Sequence, residues 1–143
     1  LMQRYCAESA PGWRVEELAG LTHRQVASRL AQASCIVNLN SHEAFNTSVP
    51  EAMAAGCVVL CYEAVGGQDF LADGVNALVF PNHHVYPLIE RLQQLIAGGL
   101  AAPELLALRL RARAAVARFS AEATGRALVE AFAALAAPVV SAP

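Results

Sequence analysis

Two glutamates, Glu43 and Glu51, stand with seven residues between them in a polar stretch bounded by apolar runs. A carboxylate accepts hydrogen bonds from two neighbouring hydroxyl groups at once, and sugars present such pairs. Glu51 lies in the first turn of a predicted helix, where free N–H groups and the positive end of the helix dipole favour a phosphate. The stretch therefore has the chemistry to bind a ribose, a diphosphate and a hexose, which is the layout of a nucleotide sugar.

A purely structural role also explains Glu51. Ser48 and Glu51 have the spacing of a capping box, in which each side chain accepts from the backbone amide of the other. Pro50 suits the first turn of a helix, and Glu43 alone would be an ordinary surface carboxylate. Because the two roles of Glu51 use the same oxygens, we expect its carboxylate to turn back on Ser48 when no ligand is bound.

The elements that position this stretch form a βαβ unit. An apolar strand at 35–40 leads into a polar turn at 41–48 and a helix at 49–55, which Gly56 ends, and a second apolar strand follows at 57–62. Both strands are apolar on both faces, as in a parallel sheet covered by helices. The pattern predicts an α/β fold with ligands bound beyond the carboxyl ends of the strands.

Flanking elements extend this unit in both directions. A strand is predicted at 13–18 from alternating apolar and charged residues, and Thr22 and Gln25 predict a capping box for a helix that ends near 33. A strand at 76–80 and three helices follow; residues 1–12 and 139–143 are peripheral. The first of these helices has one apolar stripe, formed by Leu88, Ile89, Leu92, Leu95 and Ile96. The last helix, which Ser120 caps, is predicted to face inward with Leu128, Val129, Phe132 and Leu135.

Composition bounds the possible functions. The 143 residues are 56% hydrophobic and carry a formal net charge of −2, which gives no basis for a broad nucleic-acid surface. All ten basic residues are arginine, so neither a P-loop lysine nor a Schiff-base lysine is present. No apolar run is long enough to predict a membrane-spanning helix, and residues 1–4 do not have the pattern expected of a signal peptide. Cys35, Cys57 and Cys61 lie in apolar runs as small hydrophobes, which favours a reducing cytoplasm.

The segment from Glu43 to Val59 resembles the signature of retaining GT-B glycosyltransferases of the family 4, or group 1, type. Three further segments are similar to that family: a glycine loop at Gly66-Gly67, the run 73–79, and the start of the last helix at 119–122. The resemblance covers nearly the whole chain. It implies a Rossmann-like parallel sheet flanked by helices, as a partial C-terminal domain of the GT-B fold.

The resemblance also implies roles for individual residues. Glu43 is the expected catalytic residue and would hold hydroxyls of the donor sugar, while Glu51 would hold the ribose hydroxyls. Asn46 stands where the family usually has glycine, and backbone amides near it would bind the sugar and the diphosphate. No metal and no cofactor are implied. The expected substrate-binding residues are His42, Phe45, Asn46, Thr47, Ser48, Val49 and Glu51.

The expected function is transfer of a hexose, with retention, from a nucleotide diphosphate sugar to an acceptor glycan or lipid in polysaccharide biosynthesis. Residues 1–143 would be one domain, a fragment that lacks two strands, the family's Arg/Lys pair and the acceptor-binding N-terminal domain. We therefore expect the fragment to be inactive alone, and the full-length enzyme to be cytoplasmic or at the membrane surface through the N-terminal domain. The loss of two strands would leave an open edge at 35–40, which predicts self-association.

Alternatives remain open at this point. The domain could be a degenerate module that binds nucleotide sugars or a structural partner without catalysis, or a nucleotide-sugar epimerase. His83 and His84 could bind a metal but lack a third ligand. Arg109, Arg111 and Arg113 fit a solvated helix face better than a nucleic-acid stripe. No Ser-His-Asp or Cys-His arrangement is evident in the sequence.

Overall fold

Parallel strands and covering helices make up the described part of the chain. The computed structural model describes residues 10, 12–43, 46–63, 66 and 69–136. Its elements in chain order are α1 (His23–Leu30), β1 (Cys35–Asn38), α2 (Ser48–Ala55), β2 (Val58–Tyr62), β3 (Leu78–Phe80), α3 (Val85–Gly98), α4 (Pro103–Val116), a 3-10 turn (Ala117–Phe119) and α5 (Ala121–Ala136).

The three strands pair in parallel in the order β1-β2-β3. Cys35 lies opposite Val58, and Leu60 lies opposite Leu78. Parallel pairing requires a crossover between successive strands, and α2 supplies the one between β1 and β2. The predicted fold class, a Rossmann-like parallel sheet flanked by helices, is confirmed.

The central strand β2 is buried on both faces because its side chains alternate between two helix layers. Cys57, Val59 and Cys61 face one core cluster, in which Met53 of α2 is fully buried. Val58, Leu60 and Tyr62 face a second cluster. That cluster is completed by apolar residues of β3, α3 and α4: Leu78, Leu88, Leu92, Leu95, Leu105 and Leu108.

Burial controls the chemistry of the cysteines on this sheet. It raises the pKa of the Cys61 thiol to about 12, with a smaller contribution from the nearby Asp73 carboxylate. Burial also raises the pKa of Cys57, although the Arg109 guanidinium opposes the shift. Protonated thiols are poor nucleophiles, so these cysteines act as small apolar residues, as predicted.

Local capping signals set several helix ends as the sequence predicted. The Gln25 amide donates to the Thr22 hydroxyl at 3.4 Å, and the Gln25 side chain accepts from the Thr22 amide at 2.9 Å, which completes the capping box of α1. Gly56 ends α2 with a φ of 85°, a left-handed conformation that favours glycine. Ser120 caps α5 by accepting from the amide of Ala123 at 3.1 Å.

The predicted strand at 13–18 is wrong. The segment 13–18 has no regular secondary structure and lines a cleft of about 990 Å³ against the free edge of β1. An extended segment becomes a strand only when it pairs with a neighbour, and the pairs in the described sheet involve β1, β2 and β3. β1 therefore has one unpaired edge within the described residues, as expected for 35–40.

The predicted burial of the last helix is also wrong. The relevant side chains of α5 are all exposed, from 53% for Leu128 to 81% for Leu135. The helical spacing of these residues correctly predicts one apolar stripe, but spacing carries no information on whether a partner surface exists. The exposed members of this stripe are Leu128, Val129, Phe132 and Leu135.

Two arginines of α4 donate to backbone carbonyls on neighbouring segments. Arg109 Nε donates to the carbonyl of Gly56 at the end of α2, and Arg111 Nε donates to the carbonyl of Val75 at 2.8 Å. Arg111 and Arg113 are exposed, in agreement with the predicted solvated face, while Arg109 is half-buried. Among the described helices, none is long and apolar enough to cross a membrane.

Candidate functional site

The candidate site lies where the carboxyl end of β1 meets the amino end of α2. The connection between them carries the polar residues that the sequence singles out, and Thr47 is the N-cap of α2. Parallel strands place such connections at one edge of the sheet, which is the usual ligand-binding edge of α/β folds. Phe45, an expected binding residue, lies outside the described residues.

A closed ring of three side-chain hydrogen bonds joins β1 to α2. Asn38 Nδ2 donates to Ser48 Oγ at 2.8 Å, Ser48 Oγ donates to Asn46 Oδ1 at 2.6 Å, and Asn46 Nδ2 donates to Asn38 Oδ1 at 2.8 Å. Asn38 Oδ1 also accepts from the Asn40 amide at 2.9 Å. Asn46 is only 6% exposed. The side chains of Asn46 and Ser48 therefore hold the connection in shape, rather than standing free for a ligand.

The predicted capping box at Ser48 and Glu51 is wrong. Ser48 is already inside the helix, Thr47 occupies the N-cap position without a side-chain bond, and the Glu51 amide donates to the carbonyl of Thr47 at 3.1 Å. The Ser48 hydroxyl is engaged by the ring instead. Within the described residues the Glu51 carboxylate has no hydrogen bond or ion pair, so it is exposed and available at the start of α2.

The amino end of α2 offers fewer amide donors than the sequence suggested. The Val49 amide donates to the carbonyl of Asn46 at 3.2 Å, the Glu51 amide is used as above, and Pro50 has no N–H. The dipole of α2 still favours an anion there, but the first turn supplies little hydrogen bonding of its own. Any phosphate at this end needs further donors.

Glu51 faces a depression of about 450 Å³ between α2 and the end of α4. Thr47, Arg113 and Ser120 contribute polar groups to its lining, and Phe119 and Val116 contribute apolar surface. Volumes of about 300–1,000 Å³ are typical of small-molecule sites. A hydroxyl pair on a ligand in this depression has a carboxylate acceptor within the lining.

The remaining expected residues differ in accessibility. Glu43 and His42 are exposed in the connection, and Thr47 is exposed at the N-cap. Val49 is only 3% exposed and packs in the core, so its side chain is not available to a ligand.

A small polar cluster surrounds His42. Its Nδ1 lies 2.8 Å from the hydroxyl of Ser41, which is only 7% exposed. On the other side, the ring centroid of His42 lies 5.9 Å from that of His83, which follows β3. His83 in turn lies 6.3 Å from the ring of Tyr62 at the end of β2.

The run 73–79, which is similar to one of the family's motifs, has a structural role, whereas Gly67 of the glycine loop lies outside the described residues. Asp73 Oδ1 accepts from the Val79 amide at 2.8 Å, and Gly74 has a φ of 67° in the turn between them. Asn76 accepts from the Ala72 amide and donates to the carbonyl of Phe70, both at 2.8 Å. These bonds fix the turn that leads into β3.

Metal binding finds no support in the part of the chain that the structure describes, where no group of three potential His, Cys, Asp or Glu ligands comes together. His83 lies beside His42, and His84 belongs to no group of metal ligands among the described residues.

The sequence pattern did not identify Asn38 as a site residue and did not predict that His42 lies near His83. An asparagine at the last position of an apolar strand was the one available signal for the ring.

A family model and a solved structure match this chain. The model described as "Glycosyl transferases group 1" matches residues 5–98, more than half of the chain. No curated protein sequence matches the chain significantly.

The fold is similar to the 1.35 Å crystal structure of the C-terminal domain of a glycosyl transferase group 1 family protein (LpcC) from Francisella tularensis. The TM-score is 0.59 at 17% sequence identity, and the match covers 73% of this chain and 51% of that chain. The chain therefore spans about half the length of the structure it matches. At this identity the similarity shows the fold.

Proposed function

Because the chain belongs to the group 1 glycosyl transferases, we propose that it binds a nucleotide diphosphate sugar and serves retaining hexosyl transfer of the family 4 type. The supporting observation is the unpaired Glu51 carboxylate, exposed at the start of α2 and lining a depression of about 450 Å³. A bound ribose gives this carboxylate the hydroxyl partners that it lacks among the described residues.

Each expected site residue has a place in this proposal. Glu51 accepts from the ribose hydroxyls, and Glu43 is the catalytic residue that touches hydroxyls of the donor sugar. His42 and Thr47 are exposed beside them and contact the ligand through their side chains. Asn46 and Ser48, whose side chains are engaged in the ring, contribute backbone groups, with Phe45 assigned the same role from the sequence. Val49 is buried and its amide donates to the carbonyl of Asn46, so it supports the site by packing.

The proposed reaction moves a hexose between two oxygens. The acceptor hydroxyl oxygen bonds to the anomeric carbon, and the bond from that carbon to the β-phosphate oxygen breaks with its electron pair. The hydroxyl proton leaves with the nucleoside diphosphate or to water, so no redox partner is needed. Donors near the diphosphate stabilise the charge that develops on it.

The domain works in this proposal as half of an enzyme. An N-terminal domain binds the acceptor glycan or lipid, places the enzyme in the cytoplasm or at the membrane surface, and supports polysaccharide biosynthesis. Residues 1–143 alone then give no transferase turnover and associate through the free edge of β1. Turnover by the isolated chain, with donor and acceptor supplied, would contradict the expected inactivity. Sedimentation as a clean monomer at high concentration would contradict the expected self-association.

Titration calorimetry with UDP and GDP tests donor binding. We expect one of these nucleotides to bind. Glu51→Gln should lower the affinity for that nucleotide about tenfold or more, because a charged acceptor of two hydroxyls is lost. Glu104→Gln is the matched control, since Glu104 is also an acidic residue in the first turn of a helix that has a proline nearby. Circular dichroism confirms that both variants are folded.

The calorimetry also separates the proposal from its alternative. Equal nucleotide affinity in wild type and Glu51→Gln would refute the role of Glu51. Nucleotide binding that depends on Glu51, combined with a full-length protein that transfers no sugar, would favour a binding module without catalysis.

A further inference from the structure

His42 and His83 form a pair of imidazoles beyond the carboxyl ends of the strands. His42 follows β1 and His83 follows β3, and their ring centroids are 5.9 Å apart with a tilt of 49°. Both side chains are exposed, and Tyr62 at the end of β2 flanks the second ring at 6.3 Å. The pair thus stands at the edge of the sheet to which the candidate site belongs.

Ser41 fixes the orientation of the first imidazole. Its hydroxyl is buried and lies 2.8 Å from His42 Nδ1. When this hydroxyl donates to Nδ1, a neutral His42 has its proton on Nε2. Nε2 is then the hydrogen-bond donor of the ring. A buried partner on one ring nitrogen and a donor on the other is the arrangement of an oriented ligand-binding histidine.

His83 has a left-handed backbone conformation, which is uncommon for a residue with a side chain. Its φ is 66°, the one positive φ of a non-glycine residue among the described residues. A left-handed conformation costs a side-chain-bearing residue about 1 kcal/mol relative to glycine. Glycine meets this backbone requirement at lower cost, so His83→Gly removes the imidazole without adding backbone strain.

The neighbouring helix end creates a need for donors. The first turn of α2 has a favourable dipole, but the amides of Val49 and Glu51 are already bonded and Pro50 has none. The whole chain contains no lysine. The exposed rings of His42 and His83 add N–H donors at this edge of the sheet.

We propose that His42 and His83 together bind the diphosphate of the donor, each through one ring N–H to a phosphate oxygen. The proposal rests on the nucleotide-sugar function proposed above. Ser41 acts as a positioning residue for His42. In transfer, the same two donors stabilise the leaving diphosphate as its charge grows.

The test measures the affinity of the 143-residue chain for UDP, GDP, uridine, guanosine and inorganic pyrophosphate. The variants are His42→Ala and His83→Gly. His83→Gly also relieves the backbone strain at the φ of 66°, so this variant should fold at least as well as the wild type. His84→Ala is the matched control, because His84 is the adjacent exposed histidine and lies outside the ring pair. Each affected variant should bind the diphosphates and pyrophosphate about fivefold to tenfold more weakly, with nucleoside affinity unchanged.

The outcomes separate this inference from the proposed function. Nucleotide binding that depends on Glu51 but is the same in wild type, His42→Ala and His83→Gly overturns the imidazole site and leaves the function standing. Pyrophosphate binding that depends on both histidines, with UDP and GDP no tighter than pyrophosphate, supports the imidazole site and refutes the donor. Absence of binding to all five probes overturns both.

Discussion

The hydrogen-bond ring between β1 and α2 makes a quantitative prediction for Asn38→Ala. The substitution removes the donor to Ser48, the acceptor of Asn46 and the acceptor of the Asn40 amide, at distances of 2.8, 2.8 and 2.9 Å. The two half-buried bonds contribute roughly 1 kcal/mol net each and the exposed bond to the Asn40 amide contributes less, so we expect a loss of about 2–3 kcal/mol in the free energy of unfolding.

Urea denaturation followed by circular dichroism measures this loss. With an m-value of about 1–3 kcal/mol/M, the midpoint should fall by about 0.7–3 M. Asn40→Ala is the control, since Asn40 Oδ1 accepts only a long bond of 3.4 Å from the His42 amide. That variant should change stability by less than about 0.5 kcal/mol.

A double-mutant cycle isolates the ring from other effects of the substitution. Asn38→Ala combined with Ser48→Ala should show a coupling of about 1 kcal/mol, because both residues share the 2.8 Å bond. An Asn38→Ala protein as stable as the Asn40→Ala control, or a coupling near zero, would refute the ring as the link between strand and helix.

Two further predictions concern the core and the end of α2. Between pH 8 and pH 10 the ionisation of Cys61 should lower the free energy of unfolding by about 1 kcal/mol. The reason is that the pKa of this thiol is near 9.0 in the unfolded chain and about 12 in the folded protein. Urea midpoints measured across this range should therefore fall less for Cys61→Ala than for wild type. Gly56→Ala should cost about 1 kcal/mol in a thermal melt because φ is 85°, whereas Gly98→Ala, at a helical position with open space, should be neutral or stabilising.

The sequence predicted the elements whose signals are local. The apolar runs around Gly56, the capping box of Thr22 and the cap at Ser120 each involve residues within a few positions of one another, and the structure has all of them. These same signals were sufficient to predict the fold class, because strands apolar on both faces require helix layers.

The errors arise where the outcome depends on distant partners. Among the described residues, the segment 13–18 has a strand pattern without a pairing neighbour, and α5 has an apolar stripe without a covering surface. At the site, Ser48 had two competing partners: the nearby Glu51 amide and the Asn38–Asn46 pair. In the structure Ser48 bonds to Asn38 and Asn46, because Asn38 is adjacent in space although it is ten residues away in sequence. The Glu51 carboxylate is therefore unpaired among the described residues.

The role of Glu51 as the ribose acceptor is the central claim, and one comparison of ligands tests it most directly. Titration calorimetry compares UDP, or GDP, with its 2′,3′-dideoxyribose analogue on wild type and on Glu51→Gln. We expect wild type to bind the ribose form about tenfold or more tightly than the analogue, and this preference to disappear largely in Glu51→Gln. A preference for ribose that is the same in both proteins would contradict it.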